Sequence, residues 1–285
     1  MQRECRYQLI TTATLIHRLL AVCLLLVATG LPGGANADAL PNYVLGVFPH
    51  LPPRDLEKIF APMAADLGKT VGANIQLRTS TTFDRFASHL NKEVFDIAFV
   101  QPFDYVEIAH KRGYLPLATR TEKLSAIVVA RTDSPLKSLA DLRGKRIALP
   151  PKTSAVNHLF RGYLRANGLR PDKDIELVHY RSHVSCMQQV LIGDVAACAT
   201  AAPALRFFQS KMNIEFKIIA SSREIPHTLF VIHSRVPGTA REAIRARILG
   251  WANTKKGQEL LARGKLTPFV PVKDSDYNVV REMVK

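Results

Sequence analysis

The sequence predicts an α/β protein of two lobes, each a sheet with crossover helices, with a ligand cleft between the lobes. Three observations carry this expectation. Short apolar runs that stop at Pro, Gly or hydroxyl residues alternate with longer segments of helical spacing. The alternation occurs in two successive blocks, with no low-complexity linker and no fixed-period repeat between them. At 285 residues the chain is long enough to bury two such cores.

In the first block, residues 43–48 read as a strand, followed by a loop from Pro49 to Pro53. Leu56, Ile59, Phe60, Met63 and Leu67 then recur at three- and four-residue spacing, which lays one apolar stripe along a helix. Residues 75–79 form the next strand, and Thr81-Thr82 leads a helix through Phe83, Phe86 and Leu90. Residues 96–100 form a third strand, and a helix over 105–111 stops at Gly113. This β-α-β-α-β order implies a mostly parallel sheet.

The second block has strands at 126–130, 146–149, 175–180 and 196–200. Between them lie a helix through Val156, Leu159, Phe160 and Leu164, ending near Gly168, and a short helix through Cys186, Met187, Val190 and Leu191. Strands at 216–220 and 229–232 follow, then helices over 241–251 and 256–263. The expected organisation is one lobe from 38–124 and 223–285, and an inserted lobe from 125–222.

In open α/β sheets, ligands bind beyond the carboxyl ends of the strands. The loops at those ends are Phe48-Pro49-His50, Ser80-Thr81-Thr82, Gln101-Pro102-Phe103, Thr153-Ser154 and Ser182-His183. The fourth is the most informative. A buried strand over 147–149 is stopped by Pro150-Pro151, and Thr153 and Ser154 then open a helix. Such a junction offers unpaired backbone amides and the positive end of a helix dipole, both favourable to an anion, although an ordinary N-cap has the same appearance.

Arg3, Arg6 and His17-Arg18, an apolar run over 19–31, and Ala35-Asn36-Ala37 together read as a cleavable signal peptide over residues 1–37. The expected product is a soluble exported protein starting near Asp38. Its net charge, +15 for the whole chain, is spread over residues such as Arg120, Lys123, Arg131 and Arg143. No arginine-rich helix or aromatic-interleaved patch points to nucleic acid. A diffuse positive field steers small anions instead. Cys5 and Cys23 leave with the signal, and Cys186 and Cys198 remain, either as a disulfide or as free thiols. Metal-ligand spacings and cofactor motifs are missing, so neither a metal nor a cofactor is expected. Ser154, His183 and Asp194 could be arranged as a triad, but no G-x-S-x-G elbow surrounds the serine, and no catalytic residue is expected.

Asp96-Ile-Ala-Phe-Val-Gln-Pro-Phe-Asp-Tyr105 resembles the D-I/V-A-F/W-x-x-P-x-x-Y segment of the phosphate/phosphite/phosphonate-binding proteins of ABC importers. The stretch from Ser125 to Ser154 is similar to that family's crossover, D-L-x-G-K-x-I/V-A and serine/threonine-rich loop. His183-Val-Ser-Cys-Met-Gln-Gln-Val-Leu-Ile-Gly193 looks like its H-x-x-x-x-x-x-V-x-x-G element. The resemblance implies a type II periplasmic binding fold, closure over a small oxyanion, no enzymatic activity and delivery to a membrane permease. An alternative is a periplasmic sensing subunit, for an oxyanion or arsenite, that signals to a membrane histidine kinase. A monomer is expected in either case.

Two departures bear on the ligand. The family's S-T-S-G loop is Lys152-Thr153-Ser154-Ala155 here, and the acid of its G-x-V-D turn is replaced in Gly193-Asp194-Val195-Ala196. Without that acid an aminoalkylphosphonate loses its charge partner, which favours an oxyanion lacking an amine. Thr153, Ser154 and His183 are the expected anion contacts, and as an anion contact His183 would have its pKa raised. Gln101, Thr81 and Thr82 are candidate hydrogen-bond donors; Phe48, His50, Phe103 and Tyr105 are candidate walls. Cys186 is either a small buried apolar group or a soft ligand for arsenite.

Overall fold

The computed structural model describes residues 40–284, so the signal peptide expected over 1–37 lies outside the described residues. Residues 41–284 make one compact unit built on two sheets. The first sheet contains β1 (Asn42–Val47), β2 (Asn74–Thr79), β3 (Ile97–Val100), β4 (Tyr114–Arg120), β10 (Leu229–His233) and β11 (Phe269–Val270), in the order β11-β4-β10-β3-β1-β2. The second contains β5 (Ile127–Arg131), β6 (Arg146–Leu149), β7 (Glu176–His179), β8 (Ala197–Thr200) and β9 (Phe216–Ser221), in the order β7-β6-β8-β5-β9.

Local chemistry explains the central elements. All four residues of β3 are apolar and buried, as a strand covered on both faces requires. Beside it, β1 carries Gly46, where a Cβ would fall 2.4 Å from the Phe95 ring, so only glycine lets that ring lie against the strand. Helix α1 (Pro53–Val71) starts on a proline, whose missing N–H costs nothing there, and ends at Gly72 in the left-handed conformation, φ 61°. Its stripe of Leu56, Ile59, Phe60, Met63 and Leu67 is buried against the first sheet. Each such side chain contributes about 1.5–3 kcal/mol, and Phe60→Ala would cost about 3–5 kcal/mol.

The C-terminal third is tied back to this layer by one buried carboxylate. Asp66 of α1 accepts from Arg247 Nε at 2.7 Å and Trp251 Nε1 at 2.9 Å, and pairs with Lys256 Nζ at 2.6 Å. Helices α6 (Gly238–Gly250) and α7 (Lys255–Arg263) are thereby fastened to α1. The final helix, α8 (Asn278–Met283), is held through Asp274, which pairs with Arg281 and accepts from Tyr105 Oη at 2.7 Å.

The chain passes between the sheets twice, over 121–126 and 222–228. There Leu124 and Ile225 exchange backbone hydrogen bonds of 2.9 Å, and the Ala126 N–H donates to Ser222 Oγ at 2.9 Å. These crossings change the expected sheet. β10 runs antiparallel to β3 and β4, and β5 runs antiparallel to β8 and β9, so each sheet is parallel in one half and antiparallel in the other. A strand entered from the opposite sheet arrives in the reverse direction, which a β-α-β reading does not anticipate.

β4 lies outside the expected strands; it contains Pro116, which sits where the pairing with β10 shifts register between Phe230 and Val231. The helix expected over 105–111 begins earlier, at Pro102–Asp104, opens to π geometry over Tyr105–Ala109 and tightens to 3-10 geometry over His110–Arg112. Cys186 and Cys198 form a disulfide between a helix start and β8, with Cα atoms 5.8 Å apart.

Candidate functional site

The carboxyl ends of β1, β3 and β4 and the amino end of β10 meet at one edge of the first sheet, and the helix starts that follow β6 and β8 face them from the second. Together they enclose a cavity of about 70 Å³. At roughly 10–15 Å³ per water-sized group, that is room for about five such groups, the size of a tetrahedral oxyanion with one small substituent. Its polar wall is His50, Gln101, Arg120, His183, His227 and Thr228. Phe48, Phe99, Leu124, Val156, Phe207 and Leu266 are among its apolar lining. None of its lining residues is a carboxylate.

Arg120 is the only full positive charge in that lining, and it is 4% exposed. Burial lowers its pKa to about 10, with Glu122 opposing, so it stays charged at neutral pH. Its Nη2 lies 3.1 Å from Glu122 Oε2 but off the line of a hydrogen bond. Glu122 stands just behind the cavity wall and also pairs with Arg206 of α5 (Ala202–Met212) at 2.9 Å. Burial would raise its pKa, but His227, Arg120 and Arg206 outweigh that and hold it at about 2.

The three histidines are neutral. Burial lowers His50 to about 3 against the hydrogen bond to the Phe48 carbonyl, and the Arg120 charge adds to the drop. Burial alone lowers His183 to about 4, and it lowers His227 to about 4 against the pull of Glu122. His183 opens α4 (His183–Ile192), where Ser182 and Ser185 form a capping box, and its Nδ1 lies 2.9 Å from Thr200 Oγ1. In the unliganded protein no charge stands beside the ring to offset its desolvation; the rise expected beside an anion concerns the liganded state.

Gln101 joins the two sheets. Its Nε2 donates to the Thr153 carbonyl at 2.7 Å, and its Oε1 accepts from the Ala155 N–H at 2.8 Å. The first free amide of α3 (Ala155–Ala166) is therefore taken by a side chain from the opposite sheet. Phe103 stacks on His158 at 4.6 Å, and Lys211 pairs with Asp55 at 2.9 Å, adding two further ties between the layers.

Of the residues singled out from sequence, Phe48, His50, Gln101 and His183 line the cavity. The others do not. Ser154 is buried and spends its Oγ accepting from the Asn157 N–H as the cap of α3; Thr153 Oγ1 is buried without a partner but stands outside the lining. Thr82 caps α2 (Phe83–Asn91) through the Arg85 N–H, and Thr81 is exposed. Tyr105 is fully buried in its bond to Asp274, and Cys186 is buried in the disulfide, which removes the thiolate that arsenite would need. Asp194 accepts from Tyr180 Oη at 2.7 Å and from Arg146 at 3.0 Å, on the surface. Sequence reasoning missed Arg120, Glu122, His227 and Thr228. The available signal was a charged R-x-E triplet at the end of Leu117-Ala118, in a strand masked by Pro116.

Two mixed sheets crossed twice by the chain, with a cavity at strand ends from both, define a type II periplasmic binding protein. The family model described as phosphonate periplasmic substrate-binding protein of ABC transporters matches residues 45–277, and the chain belongs to that family. The fold is shared with a binding protein component of an ABC phosphonate transporter from Pseudomonas aeruginosa (TM-score 0.75, 16% identity, 86% of each chain covered). It is shared too with PhnD1 from Prochlorococcus marinus, solved with methylphosphonate (TM-score 0.76, 16% identity, 85% of this chain and 96% of that one). The periplasmic aliphatic sulphonate binding protein SsuA from Escherichia coli is also similar (TM-score 0.60, 15% identity, 85% and 92%). The family is one of transport substrate-binding proteins of the periplasm, partnered by a small ligand and a permease.

Proposed function

We propose that this protein captures a small phosphorus oxyanion bearing a short apolar substituent, a simple alkylphosphonate, and delivers it to an ABC permease. The observation that carries the reading is the pairing of buried donors with an apolar wall. Arg120 Nη2 and His227 Nε2 are both buried, 3.1 and 3.4 Å from Glu122 but in hydrogen-bonding geometry with no protein group, beside a cavity whose remaining wall is mostly apolar. Buried donors in native proteins are nearly always satisfied, and an oxyanion would satisfy these. Phosphate and phosphite would leave the apolar wall uncovered by carbon, and an aminoalkylphosphonate would bury an ammonium where no carboxylate lines the cavity.

In this reading residues 38–124 with 223–285 and residues 125–222 act as two lobes that close about the crossings at 121–126 and 222–228. Ligand contacting both sides favours closure, and the permease reads the closed form. Family membership favours delivery to a permease over signalling to a histidine kinase. The test is calorimetric titration of the protein with methylphosphonate, ethylphosphonate, phosphite, phosphate and 2-aminoethylphosphonate. The two alkylphosphonates should bind most tightly. Preference for the aminoalkyl compound, or binding of none, would refute the assignment.

A further inference from the structure

The cavity also carries a pattern of hydrogen-bond polarity, and the inference drawn from it rests on the phosphorus-oxyanion reading above. Backbone contacts fix the tautomers of two lining histidines. His50 Nδ1 lies 3.0 Å from the Phe48 carbonyl oxygen, which can only accept, so the ring proton is on Nδ1. The neutral ring therefore presents a bare lone pair at Nε2. His227 is reversed: its Nδ1 accepts from the Thr228 N–H at 2.7 Å, which places the proton on Nε2.

The surroundings of His50 keep it in that form. Its ring stacks on Phe48 at 4.4 Å and meets the edge of Phe60 at 6.2 Å. The titratable groups that bear on it are Arg120, whose charge opposes a second positive charge, and the neutral rings of His183 and His227, which do not favour one. No carboxylate in the cavity wall would stabilise an imidazolium. The site thus offers donors at Arg120 and His227 and an acceptor at His50.

We infer that His50 is a specificity-determining residue: its Nε2 accepts from a hydroxyl of the bound oxyanion while Arg120 and His227 hold the ionised oxygens. The ligand is then the monoprotonated form of a phosphonate. A sulfonate of the same shape has no proton to give, and its oxygen would face the His50 lone pair. Sites that hydrogen-bond a ligand hydroxyl reject analogues lacking it by large factors, because the site's own polar group is left unpaired.

The experiment uses the full chain expressed and exported, with methylphosphonate and methanesulfonate as probes, titrated by calorimetry from pH 6 to 9. Methylphosphonate should bind at least about a hundredfold more tightly than methanesulfonate at pH 6.5. Its affinity should then fall about tenfold per pH unit above its second ionisation, as the monoanion is depleted. His50→Leu keeps an apolar body against Phe48 and should bring the two ligands within about tenfold of each other; His50→Gln, whose amide oxygen can accept, should restore part of the gap. Equal affinity for the two probes in the wild type, a phosphonate affinity flat with pH, or full discrimination retained in a folded His50→Leu protein would each overturn the inference. Binding of both probes with equal strength leaves the oxyanion reading standing; binding of neither removes that reading and this inference with it. If His50→Leu fails to fold, the wild-type pH profile and the probe ratio decide the matter alone.

Discussion

Glu122 forms a negative pole behind Arg120, with its carboxylate 3.1 Å from Arg120 Nη2 and 3.4 Å from His227 Nε2. Arg120 is thereby neutralised before any anion arrives, and a bound oxyanion on the far side of the guanidinium faces a like charge. Glu122→Gln keeps the shape and removes the charge. For an anion about 6 Å from the carboxylate at an effective dielectric near 20, the repulsion removed is about 2.8 kcal/mol. Glu122 is 19% exposed and shares Arg206, so solvent and that guanidinium screen part of it. An effect of about 1–2 kcal/mol remains, a roughly five- to thirtyfold gain in affinity. The assay is calorimetric titration of wild type and Glu122→Gln with methylphosphonate at two ionic strengths. Weaker binding by Glu122→Gln would show that the carboxylate serves chiefly to orient Arg120, and would refute the charge argument.

Three further outcomes follow from the same geometry. Gln101→Ala removes two neutral hydrogen bonds between the sheets, worth about 1 kcal/mol each, and should open the unliganded protein. A radius of gyration by small-angle scattering that matches the wild type would contradict this. The Cys186–Cys198 disulfide closes a loop with a sequence separation of 12, so Cys186→Ser with Cys198→Ser should cost about 3 kcal/mol, read as a lower Tm, and leave ligand affinity intact. Loss of binding in a folded double variant would show that the disulfide shapes the site. Acid should destabilise the unliganded protein. His50 is held near 3 and His183 and His227 near 4, below the usual 6.5, so unfolding takes up three protons, while Asp104, raised by burial to about 7, releases one. These four groups together give a net uptake of two protons, which lowers stability by about 2.7 kcal/mol per pH unit as pH falls from about 5.5 to 4.5. His89, His158 and His179, also lowered by burial, act in the same direction. A Tm that stays constant across that range would refute the burial of these rings.

The parts of this protein that could be read in the sequence are those written in neighbouring residues. The stripe of α1, the wholly apolar β3 and the hydroxyl caps at Thr82 and Ser154 are local patterns, and the structure realises them. The same locality cannot by itself separate a cap from an anion contact: a hydroxyl at a helix start has an ordinary use as a cap, and the Ser154 oxygen serves that use. Tyr105 was read as a cleft wall, yet its partner Asp274 lies 169 residues away, beyond the reach of any periodicity argument. The antiparallel halves of both sheets, and the meeting of Arg120 with His227 at the two crossings, depend on where the chain enters each layer. Gln101 meets Ala155 across 54 residues and two sheets. Secondary structure is encoded in spacing along the chain. A cleft is encoded in long-range pairing, and only the packed sheets bring its donors, its acceptor and its apolar wall to one place.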